Sequence, residues 1–144
     1  MYIPKHFQAF ELVPKEIFDT HTQQQIFSFF DENLLRDLDT IRTLCNIEYG
    51  DCFITINDWK TGGKFSQRGL RTNRGVGSLR SAHFDGDAFD FDVYKKTGIT
   101  TTRIDPKRVR ELLNKKRREL IGVRRIENGV NWVHIDSRIH FFNP

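Results

Sequence analysis

The sequence predicts an α+β fold, a small antiparallel sheet with helices packed on one side. Apolar residues recur at helical spacing through the first third of the chain, and a strand-like period of two sets in from Cys52. One further helical stretch, after Pro106, interrupts the strands. A length of 144 residues suits a single domain with one core. Within it, a helical part covers about residues 1–48 and a sheet part about 50–140.

Pro14 fits the first turn of a short helix running to about Phe18. Thr20 or Thr22 can cap a second helical segment through Phe30, and Asp31 a longer helix carrying Leu34, Leu35, Leu38, Ile41 and Leu44 on one face. Cys52 to Ile56 reads as a strand ending near Asn57 and Asp58. A loop rich in Gly, Ser, Asn and Arg follows, from about Trp59 to Ser81, and connections of that length tend to be functional or mobile. Ala88 to Val93 alternates as a second strand, and Pro106 opens a helix through about Leu120. Val123–Glu127 and Trp132–Ile139 close the chain as strands, joined by a turn at Asn128-Gly129.

Thirteen phenylalanines and a 38% hydrophobic fraction indicate a folded chain. No apolar run approaches the roughly 18 residues of a membrane span, and MYIPKHFQAF lacks the regions of a secretory signal. The expectation is a soluble protein made in the cytoplasm, with no membrane insertion. The net charge of +4 is concentrated at residues 107–110 and 115–118, which read as a solvated helix face. That helix lacks interleaved aromatics and the chain shows no nucleic-acid recognition motif, so nucleic acid is not the expected partner. Cys45 and Cys52 match neither a four-sulfur zinc site nor a redox motif and read as buried apolar residues.

The chemistry lies in two separated stretches. Alternation places Ala88, Asp90 and Asp92 on one strand face and Phe89, Phe91 and Val93 on the other. In the last strand it groups Trp132, His134 and Asp136 against Val133 and Ile135. If these strands are neighbours, Asp90 and His134 meet, and His83 reaches in from the preceding loop, with Gly86 permitting a sharp turn. Two histidines and a carboxylate suit a catalytic zinc ion, which commonly takes three protein ligands and keeps a fourth position open. A histidine beside an aspartate is more often only a surface hydrogen bond; the conjunction of all these residues is what points to a metal.

Ser81, His83, Gly86, Ala88 and Asp90 fill every defined position of the pattern S-x-H-x-x-G-x-A-x-D, and Trp132-Val133-His134 supplies a later W-x-H. In these residues the chain resembles the zinc D-Ala-D-Ala carboxypeptidases, a group with VanX-like dipeptidases, phage endolysins and the zinc-containing fold of Hedgehog signalling domains. Residues 56–63 and Gly69-Leu70-Arg71 look like the corresponding loop of small phage and bacterial members, and the resemblance covers roughly residues 50–140. It implies a Hedgehog/DD-peptidase-like architecture and Zn²⁺ held by His83, Asp90 and His134. It also implies Arg71 at the substrate carbonyl or its oxyanion, with Arg68 as the less favoured substitute, and Ser81 near the substrate. Many members carry an acid three residues before the final histidine, where this chain has Asn131. Glu127 is then the first choice for general base and Asp136 the second; Asp136 can instead orient a ligand histidine.

These readings lead to a zinc metallopeptidase acting on peptidoglycan stem peptides, as carboxypeptidase or endopeptidase. The resemblance also suggests a phage-encoded enzyme that reaches the cell wall through lysis or injection. The alternative is a catalytically inactive zinc-binding domain with a structural or partner-binding role in a virion or at the wall.

Overall fold

A computed structural model describes residues 1–75, 77–78 and 80–138. Short helices lead in. Helix α1 (Lys15–Thr20) starts after Pro14, which serves as its N-cap, outside the first turn, and the helix runs past Phe18. Thr22, not Thr20, caps α2 (Gln23–Ser28): its hydroxyl accepts the Gln25 N–H while the Gln25 side chain accepts the Thr22 N–H. The helix stops before Phe30, whose ring instead stacks on Phe89 at 5.1 Å. Helix α3 (Glu32–Tyr49) begins where the Asp31 carboxylate accepts the Leu34 N–H at 2.9 Å, and Gly50, at φ +88°, ends it. Leu34, Leu35, Leu38, Ile41 and Leu44 are buried in the core, as their spacing predicts.

Asp37 lies among those leucines, fully buried. Its carboxylate accepts the backbone N–H groups of Ile121, Gly122 and Val123 at 2.8, 2.6 and 2.8 Å. It thereby fixes the chain entering the last hairpin against α3.

Among the described residues the sheet has five antiparallel strands around a long β2 (Ala88–Thr97). The middle of β2 pairs with β1 (Cys52–Thr55), its end with β3 (Thr100–Arg103), and its start with β5 (Val133–Asp136). Strand β4 (Arg125–Ile126) lies beyond β5. Helix α3 packs on β1 and β2, and α4 (Pro106–Lys115) on β2 and β5. Phe89, Phe91, Val93, Val133 and Ile135 enter the core, so the alternate residues Asp90, Asp92, His134 and Asp136 share the opposite face. Cys45 and Cys52 are buried free thiols.

The sequence reading of the second half needs further corrections. Strand β2 runs to Thr97 and turns at Gly98 into β3, a hairpin with no apolar alternation to announce it. Helix α4 ends at Lys115 and gives way to a 3-10 turn at Arg117–Glu119; the run of four cations from residue 115 disfavours a further α turn. Strand β4 keeps only two residues of the expected five. β5 starts at Val133 rather than Trp132, and Ile139 lies outside the described residues. Finally, Asn128-Gly129 is not a two-residue hairpin turn, because Ile126 pairs with Ile135 and residues 127–132 form a longer loop. Arg110 holds that loop through the carbonyls of Val130 and Trp132 at 3.0 and 2.9 Å.

The segment from Trp59 to Ser81 lacks α-helix and strand among its described residues, apart from a 3-10 turn at Trp59–Thr61, but it is anchored. The Trp59 indole N–H donates to the Val13 carbonyl at 2.8 Å, and Leu70 N–H to the Leu12 carbonyl at 2.8 Å. Gly69 is pressed on the same spot: a Cβ there would lie 2.1 Å from the Leu12 carbonyl oxygen. Among the described residues, no helix is long and apolar enough to cross a membrane.

Candidate metal centre

His83 comes from a 3-10 turn, Ala82–Asp85, whose N-cap Ser81 accepts the His83 N–H at 3.2 Å. Gly86 closes the turn at φ +72° and packs on α2's exit; a Cβ there would stand 2.0 Å from the Phe29 carbonyl oxygen. The turn thus delivers His83 to the start of β2. There Asp90 lies directly across the ladder from His134, and Ala88 across from Asp136.

His83 Nδ1 lies 2.9 Å from the Gly69 carbonyl oxygen, which can only accept, so this nitrogen carries the proton. His83 Nε2 then faces Asp90 Oδ2 at 3.2 Å, where it donates to the carboxylate when protonated and offers a lone pair when not. Either a proton or a metal ion can stand between these two atoms. His134 repeats the pattern: Nε2 lies 2.9 Å from Asp136 Oδ2, and Nδ1 lies 2.7 Å from Asp90 Oδ1. With Nε2–H given to Asp136, Nδ1 donates to Asp90 when protonated and turns a lone pair to it when not. One ligand atom from each of His83, Asp90 and His134 lies within 4.8 Å of the others, and all three residues are buried. This group could hold a metal ion, and its donor set of two imidazoles and a carboxylate fits one.

The electrostatics fit a cation site. Burial opposes ionisation of Asp90, but hydrogen bonds from His134 and His83 outweigh it and hold the carboxyl well below the usual range. Burial likewise opposes charge on His134, yet its bonds to Asp136 and Asp90 raise it to about 9. The raised value keeps a proton on His134 at neutral pH, and a metal at Nδ1 would have to displace it.

The other residues singled out in the sequence fall into two groups. Arg71, Ser81, Glu127 and Asp136 line the same cleft of about 500 Å³ as His83, Asp90 and His134. The Arg71 guanidinium sits 3.8 Å from Asp90 Oδ2 and donates to Ser81 Oγ at 3.2 Å. Glu127 approaches the ligand side of His134, its Oε2 3.9 Å from Nδ1, whereas Asp136 occupies the far nitrogen. The backbone bond from Glu127 N–H to the His134 carbonyl, 3.1 Å, fixes that approach. Arg68 is placed elsewhere: it is buried, pairs with Asp92 at 3.1 Å, and lines a second cleft.

Sequence reasoning missed Arg103 and Arg138. Arg103 grips Asp92 through Nε and Nη2 at 2.9 and 2.6 Å and donates to the Asn131 side chain at 3.3 Å. Arg138 clamps the His83 turn through Asp85 and the Ser81 carbonyl. Both contacts depend on pairing across the sheet, and no local pattern marks them. The chain matches no protein-family model, no curated protein and no solved structure.

Proposed function

We propose that this protein is a zinc-dependent peptidase, with the Hedgehog/DD-peptidase-like architecture its motif suggests, that hydrolyses peptide bonds of peptidoglycan stem peptides. The observation that carries the reading is the partition of acids around His134: Asp136 on Nε2, and Asp90 and Glu127 on Nδ1. The motif Ser81-x-His83-x-x-Gly86-x-Ala88-x-Asp90 and Trp132-x-His134 supports the substrate class.

His83 Nε2, the Asp90 carboxylate and His134 Nδ1 would hold Zn²⁺, which supplies a Lewis acid able to polarise a carbonyl and acidify water at neutral pH. Glu127 takes the proton from the attacking water and returns it to the leaving amine. Arg71, steadied by Ser81, meets the negative charge that develops on the carbonyl oxygen. Asp136 keeps His134 in the tautomer that leaves Nδ1 unprotonated.

The test combines metal analysis of the purified protein with mass-spectrometric assay of muropeptide cleavage, before and after chelation and zinc return. Stoichiometric zinc with zinc-dependent cleavage is expected. Zinc without cleavage of any wall peptide would leave a metal-binding structural domain, and failure to take up metal would overturn the reading altogether.

A further inference from the structure

Residues 107–125, from α4 into β4, hold nine of the chain's 23 lysines and arginines and only two of its 19 acids. Elsewhere 17 acids outnumber 14 cations, so the net charge of +4 belongs to this one segment. The proposed chemistry uses none of these nine side chains.

Val109, Leu112 and Leu113 turn one side of α4 into the core. On the flank toward α3, Arg108, Lys115 and Lys116 share a groove with Glu48, Glu111 and Glu119, so charge there is balanced. The other flank carries Lys107, Arg110 and Asn114 at helical spacing, followed by Arg117 in the 3-10 turn. Arg110 donates to the Val130 and Trp132 carbonyls at 3.0 and 2.9 Å, and Arg117 to the Arg124 carbonyl at 2.7 Å. Neutral acceptors fix these guanidiniums without cancelling their charge. The exposed Lys107 and Arg124 side chains pair with no acid among the described residues. Glu111, four residues from Lys107, lines the α3 groove instead. The Arg124 N–H donates to the Asp136 carbonyl at 2.8 Å, and Arg125 lines the metal cleft, 3.8 Å from Glu127. A positive stripe therefore runs from the start of α4 to the lip of the metal centre.

We infer that this stripe docks a wall-bound polyanion, a flexible polyol-phosphate chain attached to the peptidoglycan whose stem peptides are the proposed substrate. From Lys107 to Arg117 the stripe covers about 15 Å at the helical rise. That is too long for one small anion and suits a chain that repeats its charge. Single-stranded nucleic acid is held on successive aromatic faces, and residues 107–125 contain no aromatic. A bilayer would bury apolar side chains beside the cations, yet Ile121 is the one large apolar residue exposed in the segment. A phosphodiester chain without bases asks only for a row of cations that no acid has neutralised. Docked there, it holds the linked peptide beside the cleft and raises its effective concentration. The identity of the polymer rests on the peptidase reading; the segregated charge stands without it.

The test offers the zinc-loaded protein three probes: a short poly(glycerol phosphate) chain, a thymidine oligonucleotide of equal charge, and phosphatidylglycerol vesicles. Calorimetry measures affinity from about 0.05 to 0.2 M salt. The glycerol phosphate chain is expected to bind most tightly, with affinity falling steeply as salt rises. Lys107→Gln with Arg124→Gln should weaken it about 10-fold and lower the log–log salt slope by about two, one for each cation removed. Lys115→Gln with Lys116→Gln, on the balanced flank, should weaken it less than about threefold. Both pairs change exposed side chains, and unchanged zinc uptake reports that each variant is folded. Walls that carry the polymer should be digested faster than walls stripped of it. The variant at 107 and 124 should lose that advantage while cleaving free stem peptide at the wild-type rate.

No binding at low salt, or equal losses in the two variants, would overturn the docking surface. So would oligonucleotide or vesicles bound as tightly as the glycerol phosphate chain. Binding without cleavage of any wall peptide would keep the surface and remove the peptidase; cleavage without binding would do the reverse.

Discussion

Asp90 and His134 stand opposite each other in the β2–β5 ladder, and carboxylate and imidazole meet at 2.7 Å. The register does this directly. A slip of β2 by one residue would turn Asp90 into the apolar core and bring Phe89 or Phe91 to the polar face. The packing of those phenylalanines therefore guards the geometry of the centre.

Metal uptake should depend on pH through His134. In the metal-free protein its pKa stands at about 9 against an ordinary 6.5, because Asp136 and Asp90 outweigh the cost of burial. A raised folded-state value stabilises the fold fully below pH 6.5, and that contribution is lost as pH rises through about 9. A metal needs Nδ1 free, so affinity should grow about tenfold per pH unit in this window. Chelator competition at pH 7 and 8 reads the slope. A flat response would mean that His134 does not give up a proton to the metal.

Asp136→Ala should weaken metal binding about 10- to 100-fold, the usual cost of removing a carboxylate that orients a ligand histidine. The bond at stake is the 2.9 Å contact to His134 Nε2. Competition with a chromophoric chelator measures it, and unchanged affinity would assign Asp136 some other task.

Glu127→Gln should keep zinc at the wild-type level and lower peptide hydrolysis at least about 100-fold, since the amide cannot take a proton. Its oxygen lies 3.9 Å from His134 Nδ1, close enough to act through one water. Parallel metal analysis and turnover assays check both halves. Wild-type turnover in the variant would remove Glu127 from the mechanism.

Gly86→Ala should destabilise the fold by more than about 2 kcal/mol, through a positive φ and a backbone clash together. The added methyl would meet the Phe29 carbonyl oxygen at 2.0 Å, and relief of that clash must move the turn carrying His83. Urea denaturation of the metal-free variant measures the loss. A change of only a few tenths of a kcal/mol would show that the turn relaxes freely.

Local pattern made the framework readable. The leucine spacing and Asp31 announced α3, and alternation set Asp90 and His134 each on the face opposite its strand's apolar residues, to meet if the strands were neighbours, which β2 and β5 are. Gly86 signalled the turn that presents His83. Features set by distant contacts were hidden. Nothing near Asp37 shows that it will hold three N–H groups more than 80 residues away. The β2–β3 hairpin is polar and exposed along Lys95–Thr102, so no apolar period betrays it, and with it went the pairing of Arg103 with Asp92. The Asn-Gly signal misled because Arg110 grips the following loop and fixes a wider connection.

Leu12 offers its carbonyl to Leu70, Gly69 fits against it with no room for a side chain, and the Gly69 carbonyl in turn receives the His83 proton. The leading dozen residues are thus a foundation beneath the centre, although every ligand in the cluster is encoded beyond residue 80. A trimmed fragment starting at the first strand would keep all three ligands and lose the footing that aims one of them.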